Sequence, residues 1–208
     1  MFCLFRGESC SCNDHAADFE GQNFWGLYFA FYYLVPYSTT WITPVFSYTD
    51  GLNLLLMLNG VGLLGRLLPS YYADRVGPLN LMVPACLLSG LMMFFWIDVD
   101  SPWKLYVWTI FYGITGGAIQ SLFPAALSSL TTDPRKQGTR MGMVFTIVSF
   151  AVLTGNPIAG AIITRTPSGR YIGAQVFAGC DLMVGCGFIV TARMVRMKKA
   201  DAGWLFKV

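Results

Sequence analysis

One arginine lies where a long apolar run leaves little water for it. Arg66 sits inside GRLLPSYYADRVG, Gly65 to Gly77, with leucine-rich sequence before and after it. A guanidinium at membrane depth is expensive and marks a functional site by default. It suits two kinds of chemistry: holding a carboxylate through parallel charge-assisted hydrogen bonds, or tying the bundle together through an acid or helix carbonyls. Asn59 and Ser70 fall on the same helical face as Arg66 and are candidates to line the same cavity or to bond a neighbouring helix. Where the stretch should re-enter water it carries Asp74-Arg75. A carboxylate there can dock on the N-terminal N–H groups of another helix. Gly65, Asp74, Arg75 and Gly77 therefore form a candidate conformational latch, with Asp74 expected to cap the fifth apolar span near Met141.

Three further polar residues interrupt apolar sequence. Gln120 and Asn156 are read as helix-packing groups or as lining for a substrate path, and are assigned here to substrate binding with Arg66 and Asn59. Asp181 falls on a face with Ala174, Ala178 and Gly185, so that face is expected to pack closely on a neighbour. A structural hydrogen bond is the favoured role for Asp181, with proton coupling as the alternative. No nucleophile–base pair or metal cluster converges within the apolar runs, so neither an enzyme nor a cofactor or metal is expected. Cys3, Cys10, Cys12 and His15 share a polar leader whose spacing matches no common zinc module.

These residues need elements long enough to hold them. Of the 208 residues, 55% are hydrophobic and 12% charged, about half the charged share of a soluble domain. No basic stripe with interleaved aromatics is present, which argues against a nucleic-acid partner. The polar leader covers residues 1–22. Six apolar spans follow over 23–195: 23–46, 52–72, 79–97, 103–127, 141–164 and 171–195. A basic tail occupies 196–208. The first span is interrupted by Pro36, Pro44 and the Ser38–Thr40 run, which suggests a helix facing neighbours or a water-filled cavity. Gly113 and Gly117, four apart, predict close helix packing. GNPIAG, residues 155 to 160, predicts a break or bend at Pro157.

Orientation follows from the bases. With the leader in the cytoplasm, the inner segments after it carry Arg75, Arg135, Lys136, Arg140, Arg193, Arg196, Lys198, Lys199 and Lys207. The outer side carries Lys104, Arg165 and Arg170. Nine against three satisfies the positive-inside rule and returns both termini to the cytoplasm.

Three motifs, GRLLPSYYADRVG at 65–77, GTRMGMVFTIVSF at 138–150 and GNPIAG at 155–160, carry a resemblance to the major facilitator superfamily. Within it the chain resembles the fungal monocarboxylate-transporter-like permeases. The likeness runs from about residue 24 to 195 and is to the carboxy-terminal six helices of a twelve-helix carrier. It implies an all-α membrane fold: six transmembrane helices as half of a major-facilitator bundle, two inverted three-helix repeats with a substrate path at the midplane. It further implies transport of a small organic anion, a monocarboxylate, by alternating access, with or without an accompanying proton. Arg66 matches the arginine that engages the substrate carboxylate in monocarboxylate carriers. Those carriers often place an aspartate one turn earlier, and that position here is Gly62. The expected partners are the lipid bilayer and a second six-helix half, supplied by another chain or a second copy, in the plasma membrane. A truncated, non-transporting fragment or a membrane interaction subunit is the alternative.

Overall fold

The computed structural model describes residues 23–42, 46–129, 134–166 and 170–200. The leader with Cys3, Cys10, Cys12 and His15, and the tail from residue 201 on, lie outside the described residues, as do Pro44 and Asp133. Six long helices occupy the rest: α1 (Phe24–Thr40), α2 (Tyr48–Val76), α3 (Pro78–Phe95, continued by a 3-10 turn, Trp96–Asp98), α4 (Pro102–Ser129), α5 (Pro134–Arg165) and α6 (Ile172–Ala200). Five are long and apolar enough to cross a membrane, and α1, at 17 residues, is the short one.

The helix ends follow from local chemistry. The α2 start is held by Asp50, whose carboxylate accepts the Ser47 backbone N–H at 3.2 Å, the reaching-back half of a capping box. Its end is set by Gly77 at φ 97°, a conformation that favours glycine, with its N–H donating to the Ala73 carbonyl at 2.9 Å. Pro78 then opens α3, where a missing N–H costs nothing. The same device extends α5 beyond expectation. The polar stretch Thr131–Arg140, read as a loop, is helical from Pro134 on. Likewise α6 continues to Ala200, five residues past the predicted end at Val195.

Prolines inside the helices are absorbed. Pro36, Pro69, Pro84, Pro124 and Pro157 all lie within helices, and α5 runs without interruption through Pro157, where a break or bend was expected. Beyond Pro36 the hydroxyls turn back on their own helix: Ser38 donates to the Val35 carbonyl at 2.8 Å and Thr40 to the Pro36 carbonyl at 2.7 Å. These hydroxyls are satisfied within α1, so they need no cavity.

The main helix contacts are α2–α4, α3–α6, α3–α4, α1–α5, α1–α2, α1–α6, α2–α3, α5–α6 and α4–α5. Exchanging α1 with α4, α2 with α5 and α3 with α6 maps this set onto itself. The chain is thus two equivalent three-helix units. Because two spans, α2 and α3, lie between α1 and α4, the units run in opposite directions, as an inverted repeat requires. α1 and α4 bury the largest share of their residues, and α3 and α6 pack on each other.

Glycines set the closest approaches. A methyl group at Gly65 would stand 2.7 Å from Ile114 Cα, one at Gly113 would stand 2.9 Å from the Leu58 carbonyl oxygen, and one at Gly117 would collide with the Gly62 carbonyl. The predicted Gly113–Gly117 seam is therefore real, and α2 is what it packs on. At the other end of α4 an aromatic stack of Trp96, Trp108 and Tyr112, with centroids 4.4 and 4.8 Å apart, joins α1 through Phe29 and Tyr37. Trp108 donates to the Met92 carbonyl at 2.6 Å, Tyr112 to Leu27 at 2.9 Å and Tyr37 to Val99 at 2.8 Å, whereas the buried Trp96 indole N–H has no hydrogen-bond partner among the described residues.

Candidate functional site

The α2–α4 seam fixes the register of the site. Helices α2 and α4 run parallel, with Leu58 opposite Gly113 and Gly62 opposite Gly117. One further turn along each helix come Arg66 and Gln120, and there the Arg66 Nη2 donates to Gln120 Oε1 at 2.6 Å. Both side chains are half-buried. Arg66 lies ten residues before Val76, about 15 Å along the helix axis, which places it at membrane depth. Tyr28 on α1 is within electrostatic range of the guanidinium.

The remaining α2 candidates stay on their own helix. Asn59 is exposed and donates to the Leu55 carbonyl at 2.9 Å, two turns from Arg66. Ser70 donates to the Arg66 carbonyl at 2.7 Å. Gly62, where the resemblance would place an aspartate, is buried: a methyl group there would stand 3.4 Å from the Gly113 carbonyl oxygen, against the seam. This position is occupied by packing.

Asn156 on α5 makes no hydrogen bond to Arg66 or Gln120. Its amide donates to the Val152 carbonyl at 3.3 Å, and its own carbonyl accepts the Tyr33 hydroxyl at 2.9 Å. Tyr33 reaches that carbonyl because Gly160 leaves room, where a methyl would stand 2.9 Å from the hydroxyl oxygen. Sequence reasoning missed Tyr33. The only signal for it was the glycine of GNPIAG, four residues after the carbonyl it exposes.

Asp181 faces α1, and its Oδ2 accepts the Gly26 backbone N–H at 2.9 Å. That N–H belongs to the first turn of α1, where helical N–H groups lack internal partners and the dipole favours a negative charge. The expected close packing of its face is present: Ala174 and Ala178 are fully buried, and a methyl group at Gly26 would collide with the Ala178 carbonyl. At the C-terminal end of α2, Asp74 and Arg75 are exposed. Arg75 lies over the Tyr71 ring, 5.6 Å from its centroid, and Nη2 reaches the Tyr71 hydroxyl at 3.4 Å. Asp74 sits in the last turn of α2, where its own helix dipole opposes a carboxylate. The α5 N-terminus expected near Met141 is at Pro134, seven residues earlier.

Among the described residues no group of histidines, cysteines and acids is placed to hold a metal ion. The site is therefore a half-buried cation with an amide partner, held by a glycine seam inside a six-helix membrane bundle.

No protein-family profile matches the chain. Individual relatives do. It is 56% identical over 176 residues to an MFS-type transporter of Gibberella zeae, covering 85% of this chain and 40% of that protein. It is 32% identical to an MFS-type transporter of Emericella nidulans, over 80% of this chain and 37% of the relative. It is 27% identical to an aspyridones efflux protein of Emericella nidulans, over 86% of this chain and 36% of the relative. The chain spans about two fifths of the length of these relatives. The names of the first two carry the superfamily, and none carries the monocarboxylate subtype. The six-helix inverted repeat and the relatives lead to one conclusion: the chain is an integral membrane protein that belongs to the major facilitator superfamily.

Proposed function

We propose that the chain acts as one six-helix half of a carrier that moves a small organic anion, a monocarboxylate in the sharpest form of the reading, by alternating access. The observation that carries this is the partner of Arg66. Among the described residues it bonds a neutral amide, Gln120, and the acid within the spans, Asp181, is engaged at Gly26. A cation left without a counter-charge at membrane depth favours an anionic ligand. Asn59 and Asn156 supply polar groups along the path rather than direct partners of Arg66. The relative named as an efflux protein supports outward movement.

The second half is supplied by another six-helix unit, seated on the exposed α2 surface around Leu63 and Leu67. Both chain ends face the cytoplasm of a plasma-membrane protein, in keeping with the distribution of bases. Asp74, Arg75, Gly65 and Gly77 form the inner latch, with Asp74 turned toward the start of α5, where the α5 dipole favours it. Asp181 serves as a tie that pins α1 to α6 in preference to carrying a proton. The test is movement of labelled benzoate in sealed vesicles containing the chain together with the amino-terminal half of the Gibberella zeae relative. Movement that needs both halves and is lost in Arg66→Gln supports the reading. Movement unchanged in Arg66→Gln refutes it.

A further inference from the structure

We propose that Gln120 is the residue that makes the site selective for anions: as a neutral, acceptor-side partner it orients the Arg66 guanidinium while leaving its charge uncompensated, and it adds its own amide N–H donors beside it. The inference rests on the reading of Arg66 as the substrate contact and deepens it. Arg66 has no acceptor atoms, so the group of Gln120 that meets it at 2.6 Å has to be the oxygen. The amide orientation is thereby fixed by chemistry, and Nε2 points away from the guanidinium. Both side chains are half-buried, and none of their nitrogens is among the buried polar atoms that lack a partner.

The result is a surface made of donors. With Oε1 committed to Arg66, the pair presents N–H groups and a net positive charge. A ligand rich in acceptor oxygens, such as a carboxylate, satisfies all of these groups. A primary amide or an amine brings donors that meet donors, and gains no charge attraction. A carboxylate at position 120 would reverse this by closing an internal ion pair with Arg66, removing the charge and offering acceptors to the ligand. The glycine seam makes the position decisive, because Gly62 on Gly117 holds the two residues at one level on parallel helices.

The experiment uses the full chain in lipid nanodiscs, with labelled benzoate as the probe and unlabelled benzamide, its neutral isostere, as competitor. Thermal unfolding is followed in parallel. The wild type is expected to bind benzoate and to be indifferent to benzamide. Gln120→Glu is expected to bind benzoate at least about tenfold more weakly while melting no lower than wild type, since its new ion pair replaces the hydrogen bond. Gln120→Leu, which removes the amide without adding charge, is expected to weaken binding about threefold and to keep the preference for benzoate. Unchanged benzoate affinity in either variant, or equal losses in both, overturns the role given to Gln120 and leaves Arg66 as the anion contact. A wild type that binds benzamide as well as benzoate, or that binds neither benzoate nor phenylphosphonate nor benzenesulfonate, overturns both this proposal and the anion reading beneath it.

Discussion

Helices α2 and α5 occupy equivalent places in the two three-helix units, yet they are held in different ways. α2 lies on α4 backbone to backbone, with Gly65, Gly113 and Gly117 leaving no room for a side chain between them. α5 is held on α1 through side chains instead: Gly155 lies against Trp25 and the Tyr33 hydroxyl reaches the Asn156 carbonyl. Toward its N-terminal end, methyl groups at Gly138 and Gly142 would meet nothing within 4 Å. The contrast teaches that one flank of the bundle is fixed by main-chain contact and the other is held through side chains. The candidate anion site is built on the fixed flank, where 2.6 Å between Arg66 and Gln120 is maintained by main-chain contact.

The largest effect should come from the tight seam. Gly117→Leu forces side-chain atoms against the Gly62 backbone, which cannot move without displacing α2, so destabilisation of about 3 kcal/mol or more is expected. Thermal unfolding in detergent would show it, and a melting temperature equal to wild type would show that α2 and α4 are not so closely fixed. Next comes Asp181→Ala, which strips the Gly26 N–H of its carboxylate and should cost about 2 kcal/mol. A neutral result would mean that the α1 start is held by other groups. Tyr33→Phe keeps the ring against Phe29 and deletes the bond to Asn156, for about 1 kcal/mol. Its signature is faster proteolysis near the end of α5 and unchanged cleavage in the α2–α3 turn. The smallest effect belongs to Gly142→Ala on the open part of α5, within about 0.5 kcal/mol of wild type. A loss as large as that of Gly117→Leu would erase the difference between the flanks.

Much of the architecture was legible in the chain. Long apolar runs separated by Asp, Gly and Pro can form little else in a bilayer, and Gly113 with Gly117 announced a close approach without saying to which helix. Span ends were less legible. Pro134 reads as a loop residue when flanked by polar sequence, whereas at the first position of a helix it is well placed, so α5 begins earlier than its apolar run. Pro157 likewise reads as a break, but one missing hydrogen bond within a long packed helix leaves the ladder continuous on both sides.

For the site, Arg66 was visible because a charge in an apolar run has no ordinary explanation. Its pairing with Gln120 was not, because the two lie 54 positions apart and only the register of the α2–α4 seam brings them together. Asn59 and Asn156 looked equivalent to Gln120 in sequence, but their amides are spent on carbonyls of their own helices. Gly62 looked like a missing acid, and in the fold it is a packing residue. The aromatic stack of Trp96, Trp108 and Tyr112 gave no signal, since aromatic residues in such a chain fit lipid-facing and core positions equally well.

The central claim is that Arg66 is a cation held ready for an anion by a neutral partner. Its most direct test is the affinity of the nanodisc-embedded chain for labelled benzoate in Arg66→Gln beside wild type, with unfolding temperature measured on both. The account predicts a loss of at least about thirtyfold, the effect of removing a charge-assisted carboxylate contact, in a protein that still folds. Equal benzoate affinity in the two proteins would contradict it.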